Sequence, residues 1–426
     1  MKKRLLIINM VALFGLTAMA QSGTNSPYSQ YGLGVLSEQS QGFSRGMNGV
    51  GLALRKGNIV NSLNPASYSA VDSLTMIFDV GLMGQTTQFK EGGSSVKANN
   101  ANFEYAVASF RLMPHVGMSF GVLPYSNVGY SYTATTYLAQ NQTTLLETYQ
   151  GSGGLHQMYL GAGWHVFGPL SVGANVSYLW GTYNRSVTNS GSTEINTLKK
   201  THSASVNSYK IDFGVQWQQP LGKEDQVTLG LTMGLGHKLG ADPQCEIVNA
   251  NLLTSTSDTT IFVADNALEL PMSFGAGVAW SHKNKWLVEV DAKMEKWGSV
   301  VSPNNDAGGV YKACDGLLKD RYSVNIGADY VPAAMSRTFL NRVHYRLGAG
   351  YSTPYYYING KDGPKELSVS AGFGIPLQNA YNNRSVLNVS AQWVRTSAPD
   401  FIRENTFRIN IGLTFNERWF AKWKVD

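Results

Sequence analysis

The residues able to do covalent or acid–base chemistry are few in this chain, and they do not assemble into a reactive set. Seven histidines and two cysteines are scattered over 426 residues without metal-ligand spacing, so the reading gives no metal site and no cofactor. His156 and His165 fall on one predicted strand and His202 in a predicted loop; no serine motif and acid stand where they would complete a nucleophilic triad. Gly46-x-x-Gly49-x-Gly51 has the glycine density of a phosphate loop, but it lacks the preceding strand and the Lys-Ser/Thr ending that such a loop needs. The chain therefore reads as a non-enzyme, with no catalytic residues assigned.

What must be explained is a body that holds such residues apart. Gly is 45, Tyr 22, Phe 17 and Trp 9, while charged residues make up only 15%, a composition suited to many strands, glycine turns and aromatic girdles. The net charge of +6 is spread along the chain with no dense Lys/Arg run, which argues against nucleic acid as a partner.

Residues 1–20 read as a signal peptide: Lys2, Lys3 and Arg4, an apolar run over 5–16, and Ala18-Met19-Ala20 before Gln21. Beyond residue 20 no apolar run is long enough for a spanning helix, so a membrane protein of this sequence has to be a closed barrel.

Residues 21–61 are glycine-rich and keep no period. From Leu74 the period is two: Leu74, Met76, Phe78, Val80 and Leu82 share one face, Thr75, Ile77, Asp79, Gly81 and Met83 the other. The pattern recurs in about fourteen segments, centred near Phe78, Val107, Phe120, Leu160, Val176, Phe213, Leu229, Phe274, Val290, Ile326, Leu347, Val369, Val389 and Ile411. Alternation alone does not separate a soluble sandwich from a membrane barrel. The connections do: short ones alternate with long polar ones near 89–100, 133–151, 183–204, 238–266, 298–319, 354–364 and 396–404, as in an even-stranded barrel with both termini in the periplasm.

The expected fold is thus all-β, a transmembrane antiparallel barrel of about 14 strands with an N-terminal plug. Its divisions are a signal peptide (1–20), a plug (21–72), the barrel (73–416) and a periplasmic tail (417–426). Glu104, Asp212, Glu289, Asp291, Lys293, Glu295, Asp329, Arg346 and Arg408 fall on the inward faces, where opposite charges would pair and stiffen a plug. Tyr355-Tyr356-Tyr357 and Trp419-Phe420 with Trp423 are expected at membrane interfaces. Cys245 and Cys314 lie in adjacent long loops on the exported, oxidising side, where a disulfide between them competes with two free thiols.

At Asn64-Pro65-Ala66, between the glycine-rich segment and the first strand, the chain resembles the FadL-like (OMPP1/FadL/TodX) outer-membrane transport proteins. Pro65 fixes its own φ and steers Asn64 from helix, while the Asn side chain caps local backbone. A second matching feature is G-V-L-P-Y-S-N-V-G-Y in the third strand: Pro124 cannot donate a ladder hydrogen bond, and Tyr125, Asn127 and Gly129 follow in the loosened stretch. The resemblance implies a lateral opening at this strand and passive uptake of hydrophobic compounds such as long-chain fatty acids. Leu145, Leu146, Ile247, Leu252, Leu253, Ile261 and Phe262 are the apolar loop residues that would capture the ligand. The implied setting is the outer membrane of a Gram-negative bacterium, with membrane lipid and a hydrophobic small molecule as partners. Such shells are also similar to PorV-type accessory barrels, whose partners are other outer-membrane or secretion proteins. A continuous apolar path would mark the transporter, and a plugged lumen with a protein-binding rim would mark the accessory barrel.

Overall fold

The computed structural model describes residues 23–417 apart from 139–142, 191–195, 252, 306–308 and 378–384. The expected signal peptide, the capture candidate Leu252 and the aromatic residues Trp419, Phe420 and Trp423 of the tail lie outside the described residues.

Among the described residues, fourteen antiparallel strands close into a barrel. They are β1 (Met76–Glu91), β2 (Ser94–Met113), β3 (Val116–Leu138), β4 (Thr143–Phe167), β5 (Leu170–Ser190), β6 (Thr197–Leu221), β7 (Asp225–Gly234), β8 (Ser273–His282), β9 (Trp286–Glu295), β10 (Arg321–Tyr330), β11 (His344–Ser352), β12 (Lys365–Leu377), β13 (Ser385–Ser397) and β14 (Arg403–Glu417). Each pairs with its successor, and β14 returns to β1 with Glu417 opposite Met76 and Arg403 opposite Lys90. Every strand centre read from the two-residue period falls inside its own strand.

The burial pattern is inverted relative to a soluble sandwich. Val80, Leu160, Val176, Phe213, Leu229, Val290, Ile326, Leu347, Val369 and Ile411 point outward and are exposed, while Asp79, Gln216, Glu289, Asp291, Asp329, Arg346 and Asn388 are buried inside. An apolar outer band around a polar interior is what a lipid environment selects. Trp164, Trp217, Trp280 and Trp286 are exposed close to the short turns, forming an interfacial belt at that end; Trp286 packs against Tyr330 in a tilted pair with ring centroids 4.2 Å apart. Among the described residues no helix is long and apolar enough to cross a membrane.

The wall is uneven in height. β7 to β10 have 10 residues each and β11 has 9, close to the ~9–11 that span a bilayer, whereas β3 to β6 run to 23, 25, 21 and 25. Several connections expected as long loops are therefore hairpins that carry the ladder past the membrane. Glu91 is opposite Ser94 across a tight turn, and Leu138 is opposite Thr143. Beyond the barrel, the hairpin Gln244–Asn251 and Thr256–Val263 adds to the outer half of β6, with Cys245 opposite both His202 and Phe262. Thr256–Val263 pairs on one side only among the described residues, and all eight of its residues are exposed.

Of the two states left open for the cysteines the structure has free thiols, and one expectation about the aromatic residues needs correction. Cys245 and Cys314 are both free. Cys245 is buried with Ala264, Ala267 and Tyr311, whereas the Cys314 thiol turns to the Asn304 carbonyl at 3.6 Å inside its own hairpin. Tyr355 and Tyr356 are not an interfacial girdle: both are 5% exposed and packed in the outer part of the lumen, with the Tyr356 hydroxyl donating to the Tyr28 carbonyl at 3.1 Å.

Candidate functional site

Everything inside the barrel is arranged around residues 23–75, which run along the inner wall before entering β1. Three short turns give the segment its shape: the 3-10 helix Pro27–Gln30 capped by Ser26, the helical turn Gly42–Arg45, and the 3-10 helix Pro65–Ala70. Asn64 is fully buried and caps the last of these. Its Oδ1 accepts from the Ala66 amide at 3.1 Å, and its Nδ2 donates to Leu52 O at 2.7 Å and Val215 O at 3.2 Å. With Pro65 at the first helical position and Ala66 fully buried, the tripeptide is a corner bolted to β6.

Close approach of backbone to wall depends on glycines that face inward from successive strands. A Cβ at Gly117 would overlap the Tyr68 carbonyl, at Gly173 the Pro65 carbonyl, at Gly230 the Leu52 carbonyl and at Gly348 the Met47 carbonyl carbon. Charge adds specificity to this track. The Arg45 guanidinium, 3% exposed, donates to Glu104 Oε2 at 3.0 Å, Ser40 O at 3.0 Å and Glu38 O at 3.1 Å. Lys56 Nζ meets Asp329 Oδ2 at 3.2 Å, and Asp329 also receives Arg346 Nε at 3.0 Å. Asp291 Oδ2 accepts the Gly51 and Leu52 amides at 2.7 and 3.0 Å, and Glu289 Oε1 the Ala53 amide at 2.7 Å. Of these groups the inward charges were visible in the alternation; Arg45, Lys56 and the glycine track were not, because the segment that carries or meets them has no period.

Toward the long hairpins the interior becomes apolar. Tyr28 and Leu33 of the segment are buried with Val128, Leu155, Leu179, Val206, Leu239, Trp297 and Tyr355, side chains drawn from both halves of the wall. Burial, then the nearby Glu404, raises the Tyr28 phenol, and its hydroxyl donates to the Ile402 carbonyl.

The wall itself is split at one seam. β2 and β3 pair only from Met113 opposite Val116 to Ala106 opposite Val122, although β2 reaches back to Ser94 and β3 on to Leu138. A register shift between Pro124 and Ser126 turns β3 at this point. The chain's own N-terminal segment takes the open edge: Val35 and Leu36 pair with Asn127 and Ser126, Ser37 N donates to Tyr125 O at 2.9 Å, and Gly129 N donates to Ser29 Oγ at 3.1 Å. On the β2 side, Asn102 Nδ2 donates to Gly23 O at 2.7 Å. Pro124, Tyr125, Asn127 and Gly129 are thus gathered at a real discontinuity of the ladder, and residues 23–37 lie across it.

The capture candidates are not gathered in this way. Leu145 and Leu146 sit on the outer part of β4, opposite Thr136 and Thr135. Ile247, Ile261 and Phe262 belong to the outer hairpin, with Leu253 at its tip. Ile247 packs toward Cys245 and Tyr311, while Leu253, Ile261 and Phe262 are exposed. A chamber of about 150 Å3 with a mixed polar and apolar lining lies beside Leu123, Tyr125 and Gln157, and none of these capture residues lines it. Among the described residues no group of three or more His, Cys, Asp or Glu is placed to hold a metal.

No curated protein matches the chain. Solved structures match its fold. The Pseudomonas putida toluene transporter TodX shares 15% identity at a TM-score of 0.62, over 90% of this chain and 100% of that one. The monoaromatic hydrocarbon channel CymD shares 17% at 0.58, over 88% and 97%. A Pseudomonas aeruginosa FadL homologue shares 11% at 0.59, over 90% and 98%. The architecture is therefore that of FadL-type outer-membrane barrels, with identities that speak for fold alone. The family model described as BamG matches residues 1–426, and the chain belongs to the BamG family.

Proposed function

We propose that the protein is a plugged accessory barrel of the Gram-negative outer membrane, a subunit of a secretion or outer-membrane assembly complex. The observation that carries this reading is the occupied lumen. Residues 23–71 act as a plug, fixed below by ion pairs and amide–carboxylate bonds and above by an apolar cluster. The outer face supplies what an accessory subunit needs: a ladder continued from β3 through β6 into the outer hairpin, ending in the exposed, one-sided strand Thr256–Val263, whose free backbone edge suits addition of a partner's strand.

Uptake of hydrophobic compounds with lateral release is the second reading, favoured by the split between β2 and β3 at Val122 and Pro124. TodX and CymD, described as a toluene transporter and a monoaromatic hydrocarbon channel, lend it an analogy of fold. Mild extraction from membranes, followed by quantification of co-purified proteins and solvent-extractable ligand, distinguishes the two. The accessory reading expects a stoichiometric protein partner and substoichiometric hydrophobic ligand. A stoichiometric fatty acid or hydrocarbon on an otherwise solitary barrel would overturn it.

A further inference from the structure

The connection from β10 to β11 carries an inference that rests on the membrane barrel and on neither function above. It takes residues 331–343, where 114–115, 168–169, 222–224 and 283–285 suffice for the other described turns at that end. The extra chain is tied together by its own bonds. Ala333 N donates to Asn341 O at 2.8 Å, Asn341 Nδ2 to Ser336 Oγ at 3.3 Å and Arg342 Nη1 to Ser336 O at 3.3 Å, closing it around the helical turn Phe339–Arg342. Yet the closed turn turns its apolar side chains outward: Met335 is 95% exposed, Leu340 62% and Phe339 49%. A contiguous group of this kind marks a surface that meets something other than water.

The direction of the turn identifies the cover. Tyr345 is on the lipid-facing side of β11, in step with the exposed Leu347 and out of step with the buried Arg346. Its hydroxyl donates to the Leu340 carbonyl at 3.1 Å, so the helical turn is folded against the outside of the wall and not under the lumen. Tyr345 meets the exposed Phe373 edge-on at 5.8 Å, and Tyr330, opposite Tyr345 in the ladder, packs against Trp286 of the interfacial belt. Met335, Phe339 and Leu340 thus extend that belt where the barrel leaves the lipid. Charge agrees with this placement. Residues 331–343 contain Arg337 and Arg342 and no acid. The arginine ion pairs among the described residues are those of Arg45, Arg321 and Arg346, so neither Arg337 nor Arg342 has a carboxylate partner within 4.0 Å.

We propose that residues 332–342 are an interfacial foot: Met335, Phe339 and Leu340 enter the periplasmic leaflet, and Arg337 and Arg342 bind the phosphates of its lipid headgroups. A guanidinium can donate two N–H bonds to one phosphate, while the apolar side chains beside it gain from the acyl boundary just below. β10 and β11, with 10 and 9 residues, have little length to spare across a bilayer, and a foot at their turn sets their depth.

The test places a nitroxide label at Met335→Cys, and separately at Lys223→Cys in the turn 222–224, in full-length Cys245→Ala, Cys314→Ser protein. The host is vesicles of phosphatidylethanolamine and phosphatidylglycerol. Collision with oxygen, which concentrates in lipid, is compared with collision with a water-soluble nickel chelate. The oxygen-to-chelate ratio is expected to be at least 5-fold higher at position 335 than at position 223, and a label at Leu340→Cys is expected to agree with position 335. Equal ratios at 335 and 223 overturn the proposal. So does a label at 335 that the chelate reaches in these vesicles and that is shielded from both reagents in native membranes, the result of a protein cover. Arg337→Gln with Arg342→Gln, keeping the heat-modifiable migration of a folded barrel, is expected to lose at least one of the phospholipids retained in native mass spectrometry; an unchanged count overturns the phosphate contacts.

Discussion

The lower and upper halves of the lumen hold the same segment by different physics. Below, residues 42–71 lie on bare glycine backbone and are fixed by directional contacts: Arg45 with Glu104, Lys56 with Asp329, and the Gly51–Ala53 amides on Asp291 and Glu289. Above, residues 23–37 carry no charged side chain and are held by Tyr28 and Leu33 in an apolar cluster, by two residues of strand pairing on β3, and by hydrogen bonds such as Gly129 N to Ser29 Oγ, Tyr356 Oη to Tyr28 O and Asn102 Nδ2 to Gly23 O. Sliding the lower part would leave buried charges without their partners, whereas apolar packing and hydrogen bonds made by neutral groups of the segment can be exchanged at lower cost. The upper half is also where the wall is split, so the part of the segment without charges of its own sits beside the weaker seam.

Unpairing the lower anchor has the largest expected effect. Arg45→Met leaves Glu104 buried without its cation, a change worth about 3–5 kcal/mol. Residues 42–57 should become accessible to protease in the variant, with the upper cluster still protected in hydrogen exchange. Tyr28→Ala is the matching cut above. It removes a buried ring and its hydroxyl contacts, at a cost of about 3–5 kcal/mol if the cluster relaxes little and less if it closes up. Protease should then reach residues 23–37 while those from Arg45 to Ala70 stay protected; loss of protection across the whole segment would show that the halves are one unit.

A smaller effect is expected from Gly230→Ala, whose methyl group would overlap the Leu52 carbonyl. Overpacking of this kind costs about 1–3 kcal/mol. Thermal unfolding should report it, and Gly92→Ala, at a turn with open space around it, separates steric overlap from the strain of a positive φ. The smallest effect concerns pH. His202 lies on the part of β6 beyond the membrane, and burial, followed by Lys200 and Arg185, lowers its imidazole from 6.5 to about 4. The folded state therefore binds this proton less readily than the unfolded chain, so the outer hairpin is unaffected above pH 6.5 and loses stability as pH falls toward 4. Labelling of Cys245, which is opposite His202 in the ladder, divided by the rate for the unfolded chain at the same pH to remove the falling thiolate fraction, should rise over that window and should not in His202→Gln.

How far the sequence could be read follows from the same contrast. The fourteen strands were legible because lipid outside and polar groups inside impose a strict alternation, as at Ile326 against Asp329. Where strands rise past the membrane this constraint ends, and Glu91 to Ser94 or the outer part of β4 read as polar loop although the ladder continues. Tyr355 and Tyr356 looked like girdle residues because sequence shows their type and not the cluster that covers them. Pro124 did mark a turned strand, since a missing amide is a local property. The path of residues 23–75 was not legible, because its partners are backbone carbonyls and amides met across the lumen, and contacts of that kind leave no period. In retrospect the recurring glycine at inward positions, such as Gly214 and Gly348, was its one signal.

The central claim is that the plug stays in place and the seam does not serve as an exit for hydrophobic ligands. Val35 and Asn127 are opposite one another in the antiparallel pairing across that seam, a spacing compatible with a disulfide. In a Cys245→Ala, Cys314→Ser background, Val35→Cys with Asn127→Cys would lock the plug onto β3, and toluene and long-chain fatty acid entry into proteoliposomes would be measured before and after oxidation. The account predicts no protein-dependent entry in either state; rapid entry in the reduced protein that disappears on oxidation would contradict it.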